Sequence, residues 1–188
     1  MAKCQKQRTK IEGQTMKIGI LTFQFAHNYG ALLQAYGLRQ YLKTQGHDVE
    51  ILNFVPEKVK KEYSMNPFMV TKSLRGLVSL TIRNVKRIKQ FQLIRQFQSE
   101  KLCCGKVFYT SKALQNKISQ LDCVVVGSDQ VWNTALTGEI SDYYLDVVAP
   151  ELRKVSYAAS FGTDTIQPFQ QRLLRKHLQH YHSISVRE

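Results

Sequence analysis

The sequence predicts an α/β fold, a Rossmann-like parallel β-sheet with helices on both faces. Short apolar runs of strand length alternate along the chain with segments of helical pattern. A strand followed by a helix and a second strand forms a βαβ unit, whose two strands lie parallel in one sheet. The composition of the 188 residues, 43% hydrophobic and 22% charged, is that of a globular protein with a core.

The first βαβ unit is the clearest part of this pattern. Residues 17–23 (KIGILTF) form an apolar run that is typical of a buried strand. A helix is predicted over 31–45 and stops at Gly46, because glycine commonly follows the last turn of a helix. The next strand is predicted over 49–54 and ends before Pro56, which cannot continue a strand ladder.

The rest of the chain predicts further elements of the same sheet. Strands are expected at 121–126 (LDCVVV) and 154–159 (KVSYAA), with another beginning at 183–186. Helices are expected over 112–120 and 168–182. The apolar residues of the last helix should face inward, namely Phe169, Leu173, Leu174, Leu178 and Tyr181.

Positive charge is concentrated in one part of the sequence. The chain has a net charge of +13, and residues 58–106 hold twelve Lys or Arg against two Glu, a net +10. Such a field favours phosphorylated substrates, acidic lipids or nucleic acid. Within it, residues 72–91 pair an apolar stripe with basic residues. This pattern suits a solvated helix that packs its stripe on the sheet, or a helix in peripheral contact with an anionic membrane.

The leader and the apolar content predict a cytoplasmic protein with at most peripheral membrane contact. Residues 1–15 are polar and basic and lack the apolar centre of a signal peptide. No apolar run approaches the roughly 20 residues that span a bilayer. We therefore expect 1–15 to be a disordered basic leader ahead of the folded part.

Several common cofactor and metal sites have no support in the sequence. No C-x-x-C pair, P-loop or G-x-S-x-G motif is present. The loop after the first strand holds one glycine, Gly30, where a dinucleotide fingerprint needs three. The second strand ends near Asn53 rather than near the acidic residue that binds a ribose. We therefore expect no metal and no nicotinamide cofactor.

Polar loops follow three of the predicted strands. In an open parallel sheet, ligands bind at the carboxyl ends of the strands. The first loop, 24–30 (QFAHNYG), opens a helix that Asn28 can cap, and a helix N-terminus favours anions. His27 in this loop can act as an acid or a base. The alternative is an ordinary capped turn with a surface histidine.

The second and third loops are 127–133 (GSDQVWN) and 160–164 (SFGTD). Trp132, the only tryptophan, could stack on a sugar, close a pocket, or belong to the core. In the third loop, Thr163 or Asp164 is expected to cap the last helix, and Gly162 suits close approach of backbone to a ligand.

Four stretches together resemble the N-terminal half of the polysaccharide pyruvyl transferase family. They are GILTFQFAHNYGALLQAYGLRQYL, LDCVVVGSDQVWN, KVSYAASFG and the closing ISVRE. Their order and spacing match over about residues 16–188, more weakly across 57–100. The combination of GSDQVWN with YAASFG is more specific than N-Y-G-A alone.

The resemblance implies a glycosyltransferase-B-like enzyme of two Rossmann-type domains with a cleft between them. Its reaction would transfer the enolpyruvyl group of phosphoenolpyruvate, the donor substrate, to a saccharide acceptor as a cyclic ketal in surface-polysaccharide biosynthesis. The acceptor could be lipid-linked, and no cofactor is implied. His27 is the candidate catalytic residue. The substrate-binding residues that the resemblance implies are Asn28, Tyr29, Gly30, Gly127, Ser128, Asp129, Gln130, Trp132, Asn133, Ser160, Phe161, Gly162, Arg187 and Glu188.

The resemblance also implies that residues 16–188 are an N-terminal Rossmann-like domain whose C-terminal partner domain is absent. A domain rarely ends as a strand begins, so we expect half of an enzyme, as a truncated piece, one product of a split gene or a frameshifted copy. A separate chain could then supply the other half. Two other functions stay open. One is a non-catalytic saccharide-binding remnant. The other is nucleic-acid binding, which the charge suggests but no motif supports, so nucleic acid is not an expected partner.

Overall fold

The computed structural model describes residues 14–56, 90–137, 142–145 and 151–187. Five parallel strands form one sheet in the order β2-β1-β3-β4-β5. The strands are β1 (Lys17–Leu21), β2 (Asp48–Ile51), β3 (Cys123–Val126), β4 (Arg153–Ala159) and β5 (Ser183–Val186). The predicted α/β fold with a parallel sheet is confirmed.

The helices occupy the stretches between these strands. They are α1 (Tyr29–Thr44), α2 (described over 90–100), α3 (Ser111–Ile118), α4 (Thr134–Thr137) and α5 (Pro168–Leu178). A 3₁₀ turn covers Asp142–Tyr144. Among the described residues, no helix is both long and apolar enough to cross a bilayer.

Two apolar clusters lie on opposite faces of the sheet, because successive strand residues point to opposite sides. Ile18, Ile20 and Val125 face α1 and α2 in one cluster, which includes Leu32 and Ile94. The other cluster covers the opposite face. Its strand residues are Leu21, Val124 and Val126, and its helix residues are Leu114, Ile118 and Leu174. Helices therefore cover both faces, as predicted.

The strand order brings three of the predicted loops to one region. From β1 the chain moves to β2 on one side and then returns to β3 on the other. The order thus reverses between β1 and β3, and in open α/β sheets the crevice at such a reversal is where ligands bind. The loops after β1 and β3 flank this crevice, and the loop after β4 lies next to the latter.

Three local predictions are wrong. Tyr29 and Gly30 are the first residues of α1 rather than part of the preceding loop. Helix α5 is capped at Gln167, whose backbone N–H donates to Gln170 Oε1 at 3.0 Å, and not by Thr163 or Asp164.

The third wrong prediction concerns Phe169, which is expected from its spacing to face inward but is 51% exposed. It lies in the first turn of α5, ahead of the buried Leu174. The predicted amphipathic segment 72–91 lies almost wholly outside the described residues. Of its apolar residues, Phe91 is described, and it is buried.

Candidate functional site

Hydrogen bonds of Gln24 anchor the loop after β1 to neighbouring elements. Gln24 is buried, and its Nε2 donates to Asn53 Oδ1 at 3.2 Å and to Phe54 O at 3.0 Å. Its carbonyl accepts from Gln98 Nε2 of α2 at 2.7 Å. The start of the loop is therefore held between the end of β2 and α2.

Asn28 caps α1, as the sequence predicts. Its Oδ1 accepts from the Gly30 backbone N–H at 2.8 Å, and its carbonyl accepts from Leu32 N at 3.2 Å. A Cβ on Gly30 would lie 3.2 Å from Asn28 Oδ1, so glycine keeps the cap uncrowded. Tyr29 is 53% exposed beside this cap. The remaining free N–H groups of the first turn are available to an anion.

His27 lies against α2. Its ring meets the edge of Phe91 at a centroid distance of 4.4 Å. Burial lowers the pKa of His27 below its ordinary value of 6.5, and the nearby Arg95 guanidinium lowers it further. The imidazole is therefore mostly neutral at pH 7. A bound anion would shift this balance back towards the imidazolium.

Gln34 joins the first loop to the second. From the second turn of α1, its Nε2 donates to Thr22 Oγ1 at 2.9 Å. Its Oε1 accepts from the Ser128 hydroxyl at 2.9 Å and from the Ser128 N–H at 3.4 Å. This bridge spans the point where the strand order reverses. Gln34 is not among the site residues predicted from the sequence. Its position in the second turn of a helix that begins at a predicted ligand-binding loop was the available signal.

Gly127 makes the turn after β3. Its φ of +110° is a conformation that favours glycine, and a Cβ there would clash with the Tyr157 carbonyl of β4. In the same loop, Asp129 Oδ1 accepts from Gln130 N at 2.8 Å. The Asp129 carbonyl accepts from Val131 N at 2.7 Å. The predicted polar residues Ser128, Asp129 and Gln130 are all partly exposed.

Trp132 belongs to the core. It is 1% exposed, its Nε1 donates to Tyr143 O at 3.3 Å, and its ring stacks on Tyr144 at 6.0 Å. Phe161 packs against the same ring at 5.3 Å. Of the three alternatives, stacking of a sugar on the face of this indole is excluded by its burial.

The third loop is fastened to the second by backbone hydrogen bonds. Ser160 N donates to Asp129 O at 3.0 Å, and Trp132 N donates to Ser160 O at 3.2 Å. Gly162 has a φ of +66°. A Cβ added to it would lie 2.5 Å from Gln130 Oε1 and 2.6 Å from Asn133 Nδ2. Those two amides bond each other at 3.0 Å. The positive φ and this close approach both favour glycine here.

The last predicted site residues are at the end of β5. Arg187 is exposed, and its N–H donates to Ala159 O at 3.0 Å. This bond continues the parallel pairing of β4 with β5 and places Arg187 at the same sheet edge as the third loop. Glu188 lies outside the described residues.

A cavity of about 240 Å³ lies between the second loop, α4, the third loop and α5. Of the predicted site residues, Trp132, Asn133 and Phe161 line it. The other lining residues were not predicted: Thr134, Ala135, Tyr144, Thr163, Thr165, Ile166, Gln167, Gln170 and Leu174. They come from separate elements, so no local motif marks them. No group of three His, Cys, Asp or Glu within the described ranges could hold a metal ion.

A parallel sheet whose strand order reverses between β1 and β3 defines an α/β protein of Rossmann-like class. In this class, ligands bind at the carboxyl ends of the strands. The family model described as "Polysaccharide pyruvyl transferase" matches residues 28–188. The chain therefore belongs to the polysaccharide pyruvyl transferase family. Comparison with curated proteins gives no match, and comparison with solved structures gives none either.

Proposed function

We propose that this chain takes part in the transfer of pyruvate from phosphoenolpyruvate to a saccharide, forming a ketal in surface-polysaccharide biosynthesis. The observation that carries the proposal is the family match across residues 28–188. The arrangement of the loops supports it, because the matched stretch contains the loops after β3 and β4 and begins at the cap of α1.

The chemistry of the reaction assigns tasks to the site. One sugar hydroxyl adds to C2 of phosphoenolpyruvate, and C3 gains a proton and becomes a methyl group. A second hydroxyl then replaces phosphate on C2: the C–O bond to phosphate breaks and a new C–O bond to the sugar forms. Of the two hydroxyl protons, one balances the proton gained at C3 and the other leaves with phosphate. A general acid must supply the proton at C3, and positive groups must hold the donor's carboxylate and phosphate.

His27 is our proposed proton donor. It is in the loop before α1, where the free N–H groups of the first turn favour an anion. Burial and, to a smaller extent, Arg95 lower the pKa of His27 and keep the imidazole mostly neutral. Binding of an anionic donor opposes both effects, so protonation of the imidazole would be coupled to donor binding.

We further propose that a second Rossmann-like body, as in a glycosyltransferase-B-like enzyme, closes the cleft and supplies further basic groups. A separate chain would carry this body. Support comes from the resemblance of the four sequence stretches to the N-terminal half of the family. On this proposal residues 1–188 alone form no ketal.

The experiment compares this chain alone with the same chain mixed with the C-terminal half of a family member. Each is incubated with phosphoenolpyruvate and a panel of glycans, and products are read by mass spectrometry and phosphate release. We expect a pyruvyl ketal in the mixture only, and its loss in His27→Gln. A ketal from the chain alone would contradict the second-body proposal. Absence of ketal in every mixture would contradict the transferase function.

Saccharide binding without catalysis is the second candidate. The cavity between α4 and α5 favours it, because its lining combines aromatic rings with hydroxyl and amide groups. Glycan binding by residues 1–188, together with no ketal in any mixture, would support this function over transfer.

A further inference from the structure

The cavity beside α5 differs from the rest of the chain in charge. Among its described lining residues there is no Asp, Glu, Lys, Arg or His, although the chain carries a net charge of +13. A buried anion without a cationic partner is strongly disfavoured. The anionic donor is therefore a poor occupant, and a neutral molecule is a good one.

The lining combines two kinds of surface. The half-buried side chains of Phe161 and Ile166 form an apolar part. The Phe161 ring packs on the buried Trp132 at a centroid distance of 5.3 Å. The polar part consists of neutral hydroxyl and amide groups, including those of Thr134 and Gln170. A sugar ring has the same two surfaces, C–H groups and hydroxyls, and its hydroxyls both donate and accept hydrogen bonds as these groups do.

Hydrogen bonds hold the polar wall in place. Gln170 Nε2 donates to Thr134 Oγ1 at 2.8 Å, and Gln170 Oε1 accepts from Gln167 N at 3.0 Å. Because the Thr134 oxygen accepts this bond, its own hydrogen is left to donate to a ligand. Preorganised polar groups of this kind cost little entropy on binding.

The size of the cavity limits the ligand. Its volume of about 240 Å³ is below the roughly 300–1,000 Å³ that is usual for pockets of drug-sized ligands. One monosaccharide ring suits this space, whereas a nucleotide or a buried oligosaccharide does not.

We propose that this cavity binds one neutral monosaccharide ring of the acceptor, separately from the anionic donor. The naming of that ring as the acceptor rests on the proposed transferase function; the binding of a neutral sugar does not. Thr134 and Gln170 would contact its hydroxyls, and Phe161 its C–H surface.

Trp132 gives a direct readout, because it is the only tryptophan in the chain and forms part of the cavity wall. The 188-residue chain is titrated with the methyl glycosides of glucose, galactose and mannose while tryptophan fluorescence is recorded. We expect a saturable change with at least one of them. Phosphoenolpyruvate should neither reproduce this change nor compete with the sugar.

Two variants and one control test the location. Ala135→Leu fills the cavity from α4 with a residue that is a good helix former, and it should weaken sugar binding more than tenfold. Thr134→Val removes one hydroxyl contact and should weaken binding by about three- to tenfold. Thr44→Val, an exposed residue at the end of α1, should leave binding unchanged. Circular dichroism checks that each variant is folded.

The outcomes separate this inference from the proposed function. No fluorescence change with any glycoside, or equal binding by wild type and a folded Ala135→Leu, would overturn the inference. Competition by phosphoenolpyruvate would overturn it as well. If the reconstituted mixture still makes ketal after either result, the transferase function stands. If sugar binding is lost in Ala135→Leu but no mixture makes ketal, the cavity assignment stands and the transferase function fails.

Discussion

At the scale of single residues, glycines decide how closely the site loops approach one another. Gly127 and Gly162 both have positive φ, and both sit where a Cβ would strike a neighbouring loop or strand. In each case the neighbour belongs to a different part of the chain, so the requirement is tertiary. Sequence patterns indicate a turn at such positions but cannot show what lies opposite.

Replacing Gly127 by alanine should destabilise the protein. Its φ of +110° disfavours any side chain, and the new Cβ would meet the Tyr157 carbonyl, which is backbone and cannot easily move. The conformation alone costs roughly 1–3 kcal/mol, and the clash adds to it. Urea denaturation should show the loss.

Gly37→Ala is the matched control for that substitution. Gly37 is in the interior of α1, and nothing lies within 4 Å of the position that a Cβ would take there. Alanine at this position should stabilise the helix by about 0.5–1 kcal/mol. Equal stability of the two variants would show that the close packing at Gly127 is absent in solution.

His27 should make the protein less stable in acid. Its folded-state pKa is lowered, first by burial and then by Arg95, so the unfolded chain takes up a proton at higher pH than the folded one. The stabilising contribution is present above the ordinary value of about 6.5 and is lost as the pH falls towards the folded pKa. Unfolding free energies measured on either side of about pH 6.5 should therefore drop on acidification.

His27→Gln isolates this contribution, because other titrating groups remain in both proteins. The variant should lose less stability than wild type on acidification, and Arg95→Gln should lie between them. An identical pH dependence in wild type and His27→Gln would contradict the burial of His27 against Phe91.

At the scale of elements, the cap of α1 links the fold to the proposed anion site. Asn28→Ala removes the acceptor of the Gly30 N–H, seen at 2.8 Å, and should cost about 1 kcal/mol, within the range of 0.5–2. Asn28→Asp keeps an acceptor and adds a favourable charge at the helix start, so it should be close to wild type. Thermal or urea unfolding would measure both. An Asn28→Ala variant as stable as wild type would contradict the cap.

Much of the element pattern could be predicted from the sequence. Apolar runs indicate β1 and β3 to within a few residues, because strands buried on both faces are continuously apolar. Asn28 is recognisable as a cap because capping depends on neighbouring residues alone. The order of strand, helix and strand is enough to predict the parallel sheet.

The errors and omissions have a common physical cause. Phe169 has the right spacing for an inward position, but no described neighbour covers the first turn of α5 enough to bury it. Gln34 and Gln170 act through partners 94 and 36 residues away in sequence, Ser128 and Thr134. Local patterns show which residues can be buried or bonded, whereas the partners depend on how the elements pack.

At the scale of the whole molecule, the uncharged cavity and the strongly basic segment involve different parts of the sequence. The cavity between α4 and α5 has no charged residue among its described lining residues, while the sequence of 58–106 carries a net +10. A neutral sugar ring and an anionic surface would therefore be recognised by different residues of the chain. A saccharide linked to an anionic lipid offers both.

The last prediction concerns that anionic surface. We expect the chain to sediment with vesicles containing phosphatidylserine at low salt and not with neutral phosphatidylcholine vesicles. Each Lys or Arg near an anionic membrane contributes roughly 1 kcal/mol, and salt weakens the attraction because screening shortens its range to about 10 Å at 0.1 M. Raising the salt should release the protein.

Reversal of Arg83, Lys86 and Arg87 to Glu tests the basic segment, which lies outside the described residues. This triple variant should no longer sediment with the anionic vesicles. Its control reverses Lys43, Lys112 and Lys176, exposed residues on α1, α3 and α5, and so changes the net charge by the same amount. Because the local cluster is what a membrane surface attracts, the control should retain most of its binding. Equal loss in both variants would mean that total charge, and not the segment 72–91, drives the association.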